Sequence, residues 1–284
     1  MGEGIPSGTS FMVSFARGLG VDDRDLDPLA SQWLPRWMGL LAEAPGHLGP
    51  AARWYRRWAR VTSMGMVDHM VLRTEAIDAK LREAIEAGVD QIVILGAGLD
   101  ARAWRLPNLK GTTVFEVDHP ATQRFKRARI GDALPPTEVR YVPVDFERER
   151  FSGALEASGL VQTRATAWIW EGVAMYLPVA AVEDSIAQMT RLSAPGSQLL
   201  MTYRVPDALP FGRIGAIAIP LVFAIGGEPL GAAFSPRDLE LQLRPEWRVS
   251  YDADATGWRT LTGSPADPSR SFLSERLAVA TREA

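Results

Sequence analysis

The chain has no cysteine and only three histidines, His47, His69 and His119, in 284 residues. The first absence excludes disulfides, thiolate metal sites, iron–sulfur clusters and a cysteine nucleophile. The second leaves three imidazoles far apart in sequence, so no histidine metal site is expected. Long apolar runs are missing too. The longest, Ile214–Ile225, covers twelve residues and contains Pro220, whereas a membrane-spanning helix needs about 20. There is no excess of positive charge: the formal net charge is −3, which argues against a nucleic-acid partner held by phosphate contacts. The N-terminus, MGEGIPSGTS, lacks the basic and apolar regions of a signal peptide, and Pro6 stands where myristoylation of Gly2 would want Ser or Thr. What is present, 46% hydrophobic and 23% charged residues, fits an ordinary globular protein. The expectation is a cytoplasmic protein, monomer or homodimer, that acts on small molecules.

The first ninety residues show no strand alternation and read as helical. Leu29, Trp33, Leu34, Trp37 and Leu41 follow Asp27-Pro28 at helical spacing, interrupted by Pro35. Arg53–Arg60, RWYRRWAR, puts Trp54 and Trp58 four residues apart. One reading is a nucleic-acid or membrane surface. The other, preferred for an acidic chain, is an amphipathic helix with its indoles in the core and its arginines in water. Thr62–Ala87 predicts a further long helix closed at Gly88 by a C-cap. Strands and helices then alternate. Predicted strands are Gln91–Leu95, Thr112–Val117, Arg140–Val144, Ala165–Trp170, Gln198–Tyr203, Trp247–Tyr251 and Leu277–Thr281, with helices beginning near Ala101, Ala121, Phe151, Val179 and Pro236. That alternation implies a parallel sheet with helices on both faces. The connector Ala253–Ser271 predicts an irregular loop joining an antiparallel last pair. The predicted organisation is an N-terminal helical cap over 1–88 and an α/β core over 89–284. An apolar, glycine- and proline-rich insert at 205–235 is read as a buried connection, a lid or the wall of a substrate pocket.

The segment Gln91–Asp118, QIVILGAGLDARAWRLPNLKGTTVFEVD, reads as strand, glycine turn, helix, strand and acid, the arrangement that holds a nucleoside cofactor. Gly96 and Gly98 let the backbone approach a ligand, and Glu116, twenty residues after Gly96, is the candidate for the ribose hydroxyls. GAGLDA also satisfies the dinucleotide pattern, so an NAD(P)-dependent oxidoreductase and a non-catalytic nucleoside binder remain alternatives. Ligands of open α/β sheets lie across the C-terminal strand ends. Four successive strands finish there in carboxylates: Asp100, Glu116 with Asp118, Asp145 and Glu171. Such a rim repels a pyrophosphate and suits a sulfonium bearing an amino group, which favours S-adenosylmethionine. Arg73 is the candidate cation for the donor's carboxylate, although pairing with Asp78 accounts for it equally well. His69, one turn earlier, is a tentative base. Its packing among Met64, Met66 and Met70 is the competing reading. His119 is placed at the cofactor edge, and Tyr176, Tyr203 and Arg204 on the acceptor side.

From GIPSGTS through DPLASQWLP, VDHMVLRTEAID, VILGAGLDARAWRL, VFEVDHPATQRFKRARI, VPVDFERE, WIWEGVAMYL and SQLLMTY to ERLAVA, the chain resembles the S-adenosylmethionine-dependent methyltransferases related to leucine carboxyl methyltransferase. These include bacterial polyketide O-methyltransferases. The resemblance implies a Rossmann-like class I fold: a seven-stranded, mostly parallel sheet with an antiparallel last strand and an N-terminal helical cap. It also implies roles. Arg73 would hold the methionine carboxylate, with Gly96 and Gly98 under the donor and Glu116 on the ribose. Asp145 and Phe146 would face adenine, Glu171 would lie near the methionine portion, and Tyr176 would lie near the acceptor. Trp104 stands where the family often has Tyr. The implied activity is O-methylation, in secondary metabolism, of a hydroxyl or carboxylate on a partly apolar, polyketide-like acceptor.

Overall fold

The structure, a computed structural model, describes residues 8–20, 27, 29–131, 134–146, 148–206, 230–269 and 272–284. Positions 4–7 of the GIPSGTS motif and 207–229 of the apolar insert lie outside the described residues.

Seven strands form one sheet: β1 Gln91–Leu95, β2 Thr113–Asp118, β3 Glu138–Pro143, β4 Thr166–Trp170, β5 Gln198–Arg204, β6 Trp247–Asp254 and β7 Glu275–Arg282. Their order is β3-β2-β1-β4-β5-β7-β6. The first five pair in parallel, and β7 inserts antiparallel between β5 and β6. The order reverses direction beside β1, and the crevice opened there is where doubly wound sheets bind ligands. β1 (QIVIL) and β4 (TAWIW) are buried throughout, as strands covered on both faces must be.

Helices α1 (Gly8–Leu19), α2 (Ala30–Trp33), α3 (Arg36–His47), α4 (Ala52–Thr62) and α5 (Met66–Glu86) precede the sheet. Pro35 separates α2 from α3, as its spacing predicts. The expected helix over Thr62–Ala87 is instead broken at Gly65, whose φ of +82° suits glycine. It closes as predicted: Gly88, at φ +97°, donates to Ile85 O, and Val89 N donates to Ala84 O. Leu72, Ile77 and Leu81 of α5 share one apolar cluster with Ile92, Ile94 and Leu200 of the sheet. α5 is therefore a layer of the core, and a division at residue 88 cuts through that cluster.

The remaining helices among the described residues are α6 (Arg102–Arg105), α7 (Pro120–Ile130), α8 (Phe151–Ala157), α9 (Val179–Arg191), α10 (Pro236–Leu243) and α11 (Ala255–Thr262). α11 corrects the irregular loop expected after Ala253. Asp254 caps it by accepting from Thr256 and Gly257 N–H groups, and Trp258 fills the core from it.

α4 reverses its predicted orientation. Trp54 is 75% exposed and Trp58 62%, whereas Arg56 is 7% exposed and its Nε donates to Leu19 O at 3.1 Å. The inward side carries Ala52, Ala59 and the Arg56 stem, so close packing against α1 leaves the indoles outside. No described helix is long and apolar enough to cross a membrane.

Candidate functional site

The chain turns sharply after β1. Gly96 and Gly98 have φ of +68° and +48°, and the amides of Gly96 and Ala97 both donate to Val117 O. A Cβ on Gly96 would stand 2.6 Å from Val173 Cγ2, and one on Gly98 3.2 Å from Ser10 Oγ of α1. The turn is thus a backbone cradle, with the first helix reaching over it.

Glu116 does not reach this cradle. It lies inside β2, 1% exposed, with both carboxylate oxygens 2.7 Å from Lys126 Nζ of α7. Burial pushes its carboxyl up to about 7 against the pull of Lys126. Asp118 occupies the strand end instead. It accepts from Gly98 N and from His119 N, the latter at 2.6 Å, and it has no cation within ion-pair distance among the described residues. The twenty-residue count stops at Glu116, but β2 continues one pleat further, about 7 Å, and presents Asp118 on the same face. Burial lifts the Asp118 carboxyl, and the two amides, the Lys126 charge and the Thr122 hydroxyl pull it back. His119 caps α7: its Nδ1 accepts from Ala121 N.

At the end of β4, Glu171 receives Arg73 Nε at 2.9 Å and Arg102 Nη1 at 2.8 Å. Burial raises its carboxyl, but Arg102 and Arg73 together hold it far below the usual range. Arg73 also donates from Nη1 to Glu275 of β7 at 3.0 Å. Its Nη2 makes no hydrogen bond among the described residues, and the guanidinium lies against Gly172, whose φ of +65° brings the backbone close. Arg102, fully buried, bonds Asp78 and Asp100 as well, and Arg105 adds a second cation on Asp78. Of the acids expected to form a rim, Asp100, Glu116 and Glu171 are therefore neutralised from below. Asp118 forms no ion pair among the described residues. Asp145 meets the exposed Arg148 at 3.6 Å. Phe146, 41% exposed, follows it at the edge of the crevice and touches Phe151 edge-on.

His69 is not placed as a base. Its ring is fully buried between Trp258 and Phe272, and Nε2 meets Glu275 Oε2 at 2.6 Å. The α5 face that carries Arg73 to the strand ends turns His69 one helical turn away, behind Glu275. Glu275 is held at about 2: burial opposes ionisation, and Arg73 and the His69 hydrogen bond outweigh it. Tyr203 is likewise withdrawn. It is 1% exposed in the main core, and its hydroxyl donates to Asp252 at 2.6 Å. Burial and that carboxylate raise its phenol.

Tyr176, half-buried in a turn at Ala174–Tyr176, lies near enough to Arg73 to add to its field. Arg204 reaches Gly231 O, and the returning end of the insert is stitched to this turn by Gly231 N→Met175 O and Ala232 N→Leu177 O, both 2.7 Å. The strand ends thus gather Arg73, Gly96, Gly98, Asp118, Asp145, Phe146, Glu171 and Tyr176, and leave out Glu116, His69 and Tyr203. Sequence reasoning did not select Glu275. Its signal was an acid standing directly before the apolar run of the last strand. Among the described residues no cluster of His, Asp or Glu is arranged to hold a metal ion.

A shallow cleft of about 560 Å³ opens away from these groups, between α7 and β3, where Trp104, Arg127, Thr137 and Tyr141 line it. It offers neither the glycine cradle nor an unpaired acid.

Comparison with known proteins adds the family. Residues 21–190 match the model of the leucine carboxyl methyltransferase family. A protein of Mycobacterium sp. (strain JLS), provisionally named an S-adenosyl-L-methionine-dependent methyltransferase, is 47% identical over 146 residues, covering 50% of this chain and 47% of the relative. A relative of the same provisional name from Mycolicibacterium paratuberculosis is 38% identical over 213 residues, 71% of this chain and 67% of its own. The chain thus spans about half the length of the curated relatives it matches first. Among solved structures, a DUF574 family protein from Streptomyces avermitilis superposes with a TM-score of 0.63 at 15% identity, covering 98% of both chains. A protein from Thermobifida fusca, provisionally described as a methyltransferase, gives 0.62 at 19%, covering 99% of this chain and 96% of its own. These two show the shared fold. The match across residues 21–190 does more: this chain belongs to the leucine carboxyl methyltransferase family.

Proposed function

We propose that the chain is an S-adenosylmethionine-dependent methyltransferase that methylates an oxygen of a small, partly apolar acceptor. The observation that carries this reading is Asp118, a carboxylate held at the end of β2 by two backbone amides and in no ion pair among the described residues, beside a glycine turn that a Cβ would fill. A carboxylate so prepared accepts two vicinal hydroxyls of a ribose. An NAD(P) ribose would take an acid at the same strand end, and the match of residues 21–190 to the leucine carboxyl methyltransferase family is what supports S-adenosylmethionine over that alternative. Arg73 would hold the donor's carboxylate through Nη2, with Glu171 fixing the guanidinium from Nε. Phe146 and Asp145 would border the adenine.

The donor supplies a methyl group already activated on sulfonium sulfur. The protein's task is alignment and exclusion of water: the new C–O bond forms as the S–C bond breaks, in line. A buried His69 and a capping His119 leave no imidazole at the acceptor side, and His47 lies on exposed α3. An acceptor that is already ionised needs no base, so a carboxylate is the favoured acceptor. Tyr176 and Arg204 would flank it.

Calorimetry with S-adenosylhomocysteine tests the donor site. Binding is expected for the unmodified chain, and Asp118→Asn is expected to weaken it by one to two orders of magnitude, as for a lost charge-assisted pair of about 1.5–3 kcal/mol. Glu116→Gln is expected to leave binding of the folded protein nearly unchanged. Binding of NAD in place of S-adenosylhomocysteine would refute the reading. Labelled donor then separates acceptors, because a methyl ester releases methanol in mild alkali and a methyl ether does not.

A further inference from the structure

α4 directs Trp54, Trp58 and Val61 into solvent at i, i+4 and i+7, a straight apolar stripe. α3 does the same with Trp37, 64% exposed, and Leu40, 62%. Tyr55 Oη donates to Leu41 O at 2.9 Å and joins the two helices into one unit. Nothing in the proposed methyl transfer uses this face.

The charge on it is equally one-sided. Residues 36–62 hold five arginines and one acid, Glu43, in a chain of net charge −3. Two of these arginines work inward: Arg56 on Leu19 O and Arg60 on Asp68. Arg53 and Arg57 are exposed, each beside an indole in sequence, and make no ion pair among the described residues.

We propose that the α3–α4 face docks on an anionic lipid bilayer. Indoles settle at the level of lipid headgroups, with the ring in the apolar boundary and the N–H toward water. A short helix with a basic flank and an outward aromatic stripe lies in that plane. At eleven residues, or about 16 Å, α4 lies along a surface and does not cross it. Charge complementarity selects this occupant over a second copy of the chain. A twofold interface through the same patch sets Arg53 and Arg57 against their own equivalents, whereas phosphate headgroups neutralise them. A nucleic acid matches the arginines but leaves the exposed Trp and Val unburied.

Co-sedimentation of the full chain with vesicles tests this. Binding is expected to mixed phosphatidylglycerol–phosphatidylcholine vesicles and not to phosphatidylcholine alone, with a blue shift of tryptophan emission. Arg53→Ala and Arg57→Ala should each lower the partition coefficient about fivefold, and Trp54→Ala and Trp58→Ala about tenfold each. Because all four side chains face water, the variants should keep the circular dichroism and melting temperature of the parent, which separates lost docking from lost fold. The proposal is overturned by no binding at low salt, by equal binding to both vesicle types, or by variants that bind like the parent. It is also overturned by a homodimer in sedimentation equilibrium that Trp54→Ala/Trp58→Ala dissociates, which would give the face to a second copy.

Discussion

α4 and α5 follow one another in the chain and are patterned in opposite senses. α4 turns indoles toward water and draws Arg56 inward, and α5 buries Asp68, His69, Arg73 and Asp78 along its length. Both depart from the usual apolar-in, polar-out rule, but they differ in what compensates them. Each of these four groups has a partner: Arg60 for Asp68, Glu275 for His69, Glu171 and Glu275 for Arg73, Arg102 and Arg105 for Asp78. The exposed indoles of α4 contact little that would hold them in place. Buried charge met by opposite charge marks a built network, and exposed apolar surface without a cover among the described residues marks a face directed outward.

The contrast predicts very different costs of substitution. The largest belongs to Arg73→Ala, which strands Glu171 and Glu275 as buried carboxylates without their shared cation. Breaking a buried pair from one side costs about 3–5 kcal/mol, so urea denaturation should show a loss of that order together with loss of S-adenosylhomocysteine binding. A loss below 1 kcal/mol would mean that the network is not what holds α5 to β4 and β7.

Acid should erode the same network. Glu275 is depressed to about 2 in the folded chain, against about 4.3 when unfolded. A depressed carboxyl contributes its full stabilisation above the unfolded value and loses it as pH falls through the folded one. Unfolding free energy should therefore drop by about 3 kcal/mol between about pH 4.5 and 2 from this group alone. Glu171, depressed further, adds to the slope. Glu275→Gln should flatten that part of the curve in chemical denaturation at stepped pH; an unaltered slope would show that Glu275 is not the group responsible.

The smallest effect is reserved for the other helix. Trp54→Ala should change stability by no more than about 0.5 kcal/mol, whereas Trp258→Ala, in the core from α11, should cost about 3–5 kcal/mol. Thermal melts of the two variants side by side decide this, and equal losses would show that α4 is not turned outward.

The architecture of the sheet is legible in the letters because its signals are local. Alternation, glycine turns and apolar runs place each strand within two or three residues, although the antiparallel end, expected from a helix-free connector, forms with α11 inside that connector. The site is legible where a residue sits at a strand end, as Gly96, Glu171 and Phe146 do. It is not legible where selection depends on which of two neighbouring acids the strand carries to its end. Glu116 and Asp118 share a face, and only the position of Lys126, ten residues on, decides that the first is sealed and the second presented. The same holds for His69. Spacing places it beside Arg73, but Glu275, 206 residues away, decides what it touches. For α4, the periodicity gave the stripe, but the sign of its direction came from α1, whose Leu19 carbonyl takes the Arg56 side chain.

The insertion of β7 between β5 and β6 has a bearing on how the molecule is made. Chain synthesis delivers α5 well before β7, so Arg73 leaves the ribosome about 200 residues before Glu275 exists to receive it. The five parallel strands can assemble in the meantime, but β6 has no neighbour in the sheet until β7 arrives. The arrival of β7 thus locks the sheet's edge and braces Arg73 at the strand ends in one event, and a ribosome-stalled chain ending before residue 275 would carry the fold's outline with Arg73 lacking one of its two carboxylate partners.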